Sequence, residues 1–126
     1  MVAQFAAVGI GAALGAWLRW GLSTWLNPRI PHFPLGTLVA NLVGGYLVGI
    51  AVALVLTRPE LEPHWRLFII TGFLGGLTTF SSFSAEVTAL LARGDYASGL
   101  LLAATHLVGS LLLTAAGFAT VRALAS

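Results

Sequence analysis

The chain has 126 residues, of which 58% are hydrophobic and only 8% charged. Soluble domains carry about 25% charged residues, so this much apolar surface does not fit inside a globule of this size and belongs in a bilayer. Its formal charge of +2 comes from scattered arginines without lysine, and there is no cysteine. That pattern excludes a nucleic-acid footprint, a polybasic lipid patch and a disulfide framework.

A membrane span needs about 20 mostly apolar residues. The chain supplies four, at about 3–26, 35–57, 66–92 and 96–122, and they fill one membrane domain covering 1–126. The first is uncharged from Val2 to Leu18 and continues past Arg19 to Leu26. No basic run precedes it, and Arg19 and Trp20 follow where small residues would mark cleavage, so it reads as a span and not as a signal peptide. The link "NPRIPHFP", 27–34, holds three prolines and breaks any helix.

In the second span Thr37, Asn41, Gly45 and Gly49 recur every four residues and share one helical row. "RPELEPHW", 58–65, is the most polar loop. The third span is uncharged from Leu67 to Ala85 but contains "GGLTTFSSFSAE", 75–86, with two glycines, five hydroxyls, two phenylalanines and one acid. Adjacent glycines and clustered hydroxyls make poor helix material. Two readings stand: a break in mid-membrane, or an intact glycine-kinked helix whose Ser and Thr bond back to the preceding turn.

A break would free main-chain groups, which a bilayer tolerates only where they are buried in protein or line a cavity. Freed carbonyls can hold a cation; freed N–H groups and hydroxyls, including Ser81 and Ser84, can hold an anion. Phe80 and Phe83 are three residues apart. Their positive ring edges could touch an anion without trapping it, as conduction requires, or the rings could serve as lipid contact or core. Glu86 is expected at a vestibule mouth or as a helix cap. After the tight link "RGDY", 93–96, the fourth span carries a second row of His106, Ser110 and Thr114. Such rows serve either as interhelical glue or as one wall of an ion path. Two rows beside the third-span motif favour the path.

Four spans place both termini and the middle loop on one side. Arg58, Arg66 and Arg122 fall there; Arg29 and Arg93 fall opposite, joined by Arg19 if it snorkels outward. The balance is nearly even, so either both orientations are made and paired, or a slight bias wins. The pairs Gly11/Gly15, Gly45/Gly49 and Gly72/Gly76 signal close backbone packing. Trp17, Trp20, Trp25 and Trp65 fall mostly near span ends, as interfacial anchors do. His32, His64 and His106 are scattered, and no nucleophile–base spacing, metal cluster or P-loop appears. An enzyme is not expected.

Three stretches, taken together, resemble one family. "GFLGGLTTFSSFSAE" (72–86), "PLGTLVANLVGGYLVG" (34–49) and the GxxxGxxxR pattern at Gly11, Gly15 and Arg19 are similar to the signatures of the Fluc, or CrcB-type, fluoride channels. The similarity runs in register through all four spans. It implies an all-α membrane protein with a broken third helix, assembled as an antiparallel dual-topology homodimer with two fluoride pores, exporting fluoride from the cytoplasm. It implies a structural sodium ion at the dimer centre on the carbonyls of Gly75 and Thr78 from both subunits. Carried over by position, Phe80 and Phe83 match the paired pore phenylalanines and Asn41 the pore asparagine. His106, Ser110 and Thr114 match a polar track, and Arg19 an arginine near the vestibule. The alternative from another class is a small dual-topology, proton-coupled cation or drug exporter. That protein would want a carboxylate inside a span. A third reading is a non-transporting assembly subunit.

Overall fold

The computed structural model describes every residue, Met1–Ser126, and is all-helical. Helix α1 (Val2–Leu26) ends in a single 3₁₀ turn, Asn27–Arg29, and α2 covers Leu35–Thr57. The third span is segmented into α3 (Pro63–Arg66), a π-helix (Leu67–Leu74), α4 (Gly75–Leu77) and α5 (Phe80–Ala92). Helix α6 (Tyr96–Ala125) completes the chain. Each of the four spans is long and apolar enough to cross a bilayer.

The ends follow from local chemistry. The first N–H groups of a helix lack intrahelical partners. At α2 a side chain from the end of the first span supplies one, since Asn27 Oδ1 accepts from the N–H of Gly36 at 2.6 Å and of Thr37 at 3.2 Å. Pro63 opens α3 in its first turn, where its missing N–H costs nothing. Between α5 and α6 the chain reverses at Gly94, whose φ of +80° suits glycine. Asp95 then caps α6 by accepting from Ser98 N–H.

Packing is built from small residues, because lipid offers no hydrophobic drive between helices and close van der Waals contact must hold them. Helix α2 packs most extensively on α6, and α1 on the π-helix. A Cβ at Gly15 would meet the main-chain carbonyl of Phe73, and one at Gly49 that of Thr114. The buried core is accordingly slight, centred on Ala40, Ala51, Leu74 and Leu77. Large side chains such as Phe5, Trp17 and Leu111 face outward. Two hydroxyl contacts add to the α2–α6 seam: Thr114 donates to the Gly45 carbonyl at 2.9 Å, and Tyr46 Oη lies 2.9 Å from Thr120 Oγ1.

Within the third span Thr78 (φ −89°, ψ 154°) and Thr79 (φ −150°, ψ 123°) are extended. Threonines finish both sides of this interruption. Thr78 donates its N–H and its hydroxyl to the Leu74 carbonyl, at 3.0 and 2.8 Å, closing α4. Thr79 Oγ1 accepts from Ser82 N–H at 3.0 Å and caps α5.

Candidate functional site

The extended residues border a cavity of about 480 Å³ that opens on one face of the bundle. Of the candidates from sequence, Asn41, Gly75, Thr78, Phe80, Phe83, His106 and Ser110 border it. The second, third and fourth spans thus meet at one place.

Asn41 organises this meeting. An extended residue turns its N–H and C=O to the same side, which is the pattern a carboxamide can match. Thr79 N–H donates to Asn41 Oδ1 at 2.8 Å, and Asn41 Nδ2 donates to the Thr79 carbonyl at 2.9 Å. Asn41 Nδ2 also lies 3.0 Å from His106 Nδ1. His106 stacks on Phe83, with ring centroids 4.5 Å apart and planes tilted by 31°. Phe83 meets Phe80 edge-on at 5.5 Å and 75°. His106 is buried, whereas Phe80 is 79% exposed.

The interruption releases main-chain oxygens. In an unbroken helix the Gly75 carbonyl would take the Thr79 N–H, which instead goes to Asn41. The Thr78 carbonyl would take the Ser82 N–H, which instead goes to Thr79 Oγ1. No turn, loop or cap hydrogen bond ends on either carbonyl. Two oxygens that have lost their helical donors, close in sequence and on residues bordering the cavity, are the kind of ligand a hard cation prefers.

The other candidates lie outside the cavity wall. Thr114 gives its hydroxyl to Gly45, so this member of the fourth-span row acts as interhelical glue. Ser81 and Ser84 are exposed on α5, with Ser81 Oγ 3.4 Å from Thr79 Oγ1. Arg19 reaches from α1 to donate from Nε to the Gly76 carbonyl at 3.0 Å, one residue beyond the released Gly75 oxygen. Thr37 is fully buried and donates to Glu86 Oε2 at 2.6 Å. Glu86 therefore caps no helix; it ties α5 to α2, and its Oε1 is buried without a partner. Sequence reasoning overlooked this pair, although a lone acid inside a span was a signal. It also overlooked the Asn27 cap, for which the sequence carried none.

Four apolar helices around a half-open cavity walled by released backbone, an amide and aromatic rings define a small multi-pass membrane protein. The family described as CrcB-like protein, Camphor Resistance (CrcB), matches residues 6–118, and the chain belongs to it. A protein from Ralstonia pickettii (strain 12J) named fluoride-specific ion channel FluC is 61% identical over 118 residues, 94% of either chain. One of the same name from Cupriavidus metallidurans is 61% identical over 121 residues, 96% of either chain. Another, from Thiobacillus denitrificans, is 58% identical over 114 residues, covering 90% of this chain and 92% of the relative. These relatives carry the name of a channel, not of an enzyme.

Proposed function

We propose that the chain is a passive fluoride-selective channel that lets cytoplasmic fluoride leave the cell, built as an antiparallel dual-topology homodimer with two pores. The observation that carries this reading is the identity of about 60% along nearly the whole chain with proteins named as fluoride-specific channels.

The geometry supports it in three ways. First, the cavity is open on one side and Phe80 is largely exposed, so a second copy is needed to close a path around them. The near-even arginine distribution allows that copy to enter inverted. Second, fluoride is small and strongly hydrated, so a path must replace its water with donors weak enough to let it go. Ser110, Phe80 and Phe83 border the cavity, and a hydroxyl and the positive edges of aromatic rings would be such groups. Third, the free carbonyls of Gly75 and Thr78 fit a sodium ion shared with the partner copy, whose chemistry would be to neutralise and pin the unwound segments at the dimer centre. Thr37, Ser81, Ser84, Thr114 and Arg19 belong to the approaches and supports of this path, not to its wall.

Nothing in the fold favours the proton-coupled exporter, since the single in-span carboxylate, Glu86, is engaged with Thr37 and does not border the cavity. The deciding experiment is efflux from liposomes carrying the purified chain, followed with a fluoride electrode. Fluoride release far faster than chloride release is expected. Equal rates, or none, would refute the reading.

A further inference from the structure

The interruption also takes the helical donor from Gly76. In an unbroken helix its carbonyl would accept from Phe80 N–H, but the extended Thr78 and Thr79 carry Phe80 out of that register. Arg19 fills the place from α1, donating from Nε at 3.0 Å. A basic side chain at the carbonyl end of a helix also offsets the negative end of its dipole. The reach is built into α1, where Ala12, Gly15 and Arg19 share one helical row. A Cβ at Gly15 would meet the main chain of Phe73 and Leu77, and one at Gly76 would meet that of Ala12. The two backbones therefore touch within two turns of Arg19, and its Nε is spent at the break instead of reaching toward the membrane surface.

The charge of Arg19 matters as much as its bond. A guanidinium stays charged at any working pH, and no acid in the chain answers this one. The one close acid–base pair joins Glu62 to His64, and Glu86, the single in-span carboxylate, is taken by Thr37. Consecutive Cα atoms are about 3.8 Å apart. The guanidinium on Gly76 therefore lies within about 10 Å, one Debye length at 0.1 M salt, of a cation held by Gly75. Coulomb repulsion scales with the product of the charges, so a divalent ion there meets twice the opposition of a monovalent one. It also finds no carboxylate among its ligands, whereas calcium sites ordinarily include several.

We infer that Arg19 is a positioning residue that caps the first half of the broken third span, and that its uncompensated charge restricts the carbonyls of Gly75 and Thr78 to a monovalent cation. The second half of this rests on the proposed sodium site; the first half does not. Two substitutions separate the roles. In glutamine the amide nitrogen stands the same number of bonds from the backbone as arginine Nε, so Arg19→Gln keeps a donor for Gly76 and removes the charge. In lysine that position is a carbon, so Arg19→Lys keeps the charge and removes the donor.

The test combines melting with amide hydrogen exchange on the purified protein in detergent. The buffer salt is choline chloride, to which sodium or calcium chloride is added at matched ionic strength. A cation that binds the folded form raises the melting temperature. Sodium should raise it for the unsubstituted protein and calcium should not. For Arg19→Gln calcium should protect, at a concentration roughly tenfold or more below any that affects the unsubstituted protein. Arg19→Lys should still exclude calcium, while exchange across Gly75–Thr78 quickens several-fold; in Arg19→Gln that exchange should be unchanged. Calcium that protects the unsubstituted protein as sodium does, or fails to protect Arg19→Gln, would overturn the charge role. Unchanged exchange in Arg19→Lys would overturn the cap. If sodium protects no form, the sodium reading fails, while exchange still decides the cap. If Arg19→Gln does not fold, Arg19→Met removes the charge in its place. If Arg19→Lys does not fold, the ¹³C shift of the Gly76 carbonyl in the unsubstituted protein decides: downfield, as bonded carbonyls lie, supports the cap, and upfield overturns it.

Discussion

Along the α2–α6 seam, Gly45 and Gly49 bring one backbone against the backbone of Ser110 and Thr114, and the Thr114 hydroxyl is taken up by the Gly45 carbonyl. A few residues away, around Thr78 to Phe83, the same kinds of residue are arranged differently. The N–H groups that would pair with the Gly75 and Thr78 carbonyls go to side chains instead, a cavity stays open, and Phe80 faces outward. Small residues in a membrane can therefore bring main chains together or release them. What decides is whether each polar main-chain group keeps its partner. The closed seam holds the fold together; the open one is where an ion could be handled.

Substitutions that close the open region or prise apart the closed one should separate these roles. The largest effect is expected from Gly49→Val. Its Cβ would meet the Thr114 carbonyl, which as main chain in α6 cannot move aside alone. Overpacking of this kind costs roughly 3 kcal/mol, and monodisperse protein in detergent should be lost or its melting temperature sharply lowered. A melt matching the unsubstituted protein would show that the seam is looser than its geometry.

Phe80→Ile should do the reverse. At 79% exposure within the chain, the ring contributes little to the single subunit, and its loss should change the melting free energy by no more than about 0.5 kcal/mol. Fluoride efflux from liposomes should nevertheless fall about tenfold, equivalent to a barrier raised by about 1.4 kcal/mol. Full flux would remove this ring from the path. A smaller and more local effect is expected from Asn27→Ala, which uncaps α2 at a cost of about 1 kcal/mol. Hydrogen exchange at the Gly36 and Thr37 amides should quicken several-fold while α6 stays protected. Unchanged exchange there would mean that another acceptor replaces Asn27.

The contrast between the two regions was only partly legible in the sequence. Uncharged apolar runs define four helices, and the prolines of 27–34 and the Gly94–Asp95 link mark where helices stop and start. Composition marks 75–86 as poor helix material, and Thr78 and Thr79 lie inside it. Which residues unwind is settled by Asn41, 38 positions earlier, and no local pattern records that. The same limit hid the Thr37–Glu86 bond, across 49 positions, and the Arg19–Gly76 bond, across 57. Ser110 and Thr114 stand one helical turn apart in a single row, yet one borders the cavity and the other binds α2. Spacing places residues on a face but does not say where along the helix the neighbour stops. The π-winding of Leu67–Leu74 was equally hidden, since nothing in "LFIITGFL" separates it from an ordinary helix.

Tyr46→Phe tests the closed seam at its finest grain. Thr120 gives its own hydroxyl hydrogen to the Ala116 carbonyl at 2.8 Å, so in the 2.9 Å contact with Tyr46 it must be the acceptor and Tyr46 the donor. Removing the phenol oxygen leaves the ring in place and takes away one donor, and Thr120 keeps its bond within α6. Hydrogen bonds between membrane helices average about 0.6 kcal/mol, so the melting temperature should fall only slightly and efflux should not change. A loss of several kcal/mol would show that hydroxyl contacts, more than glycine-mediated backbone contact, hold α2 to α6. The division between a seam closed by shape and a region opened by unpaired backbone would then have to be redrawn.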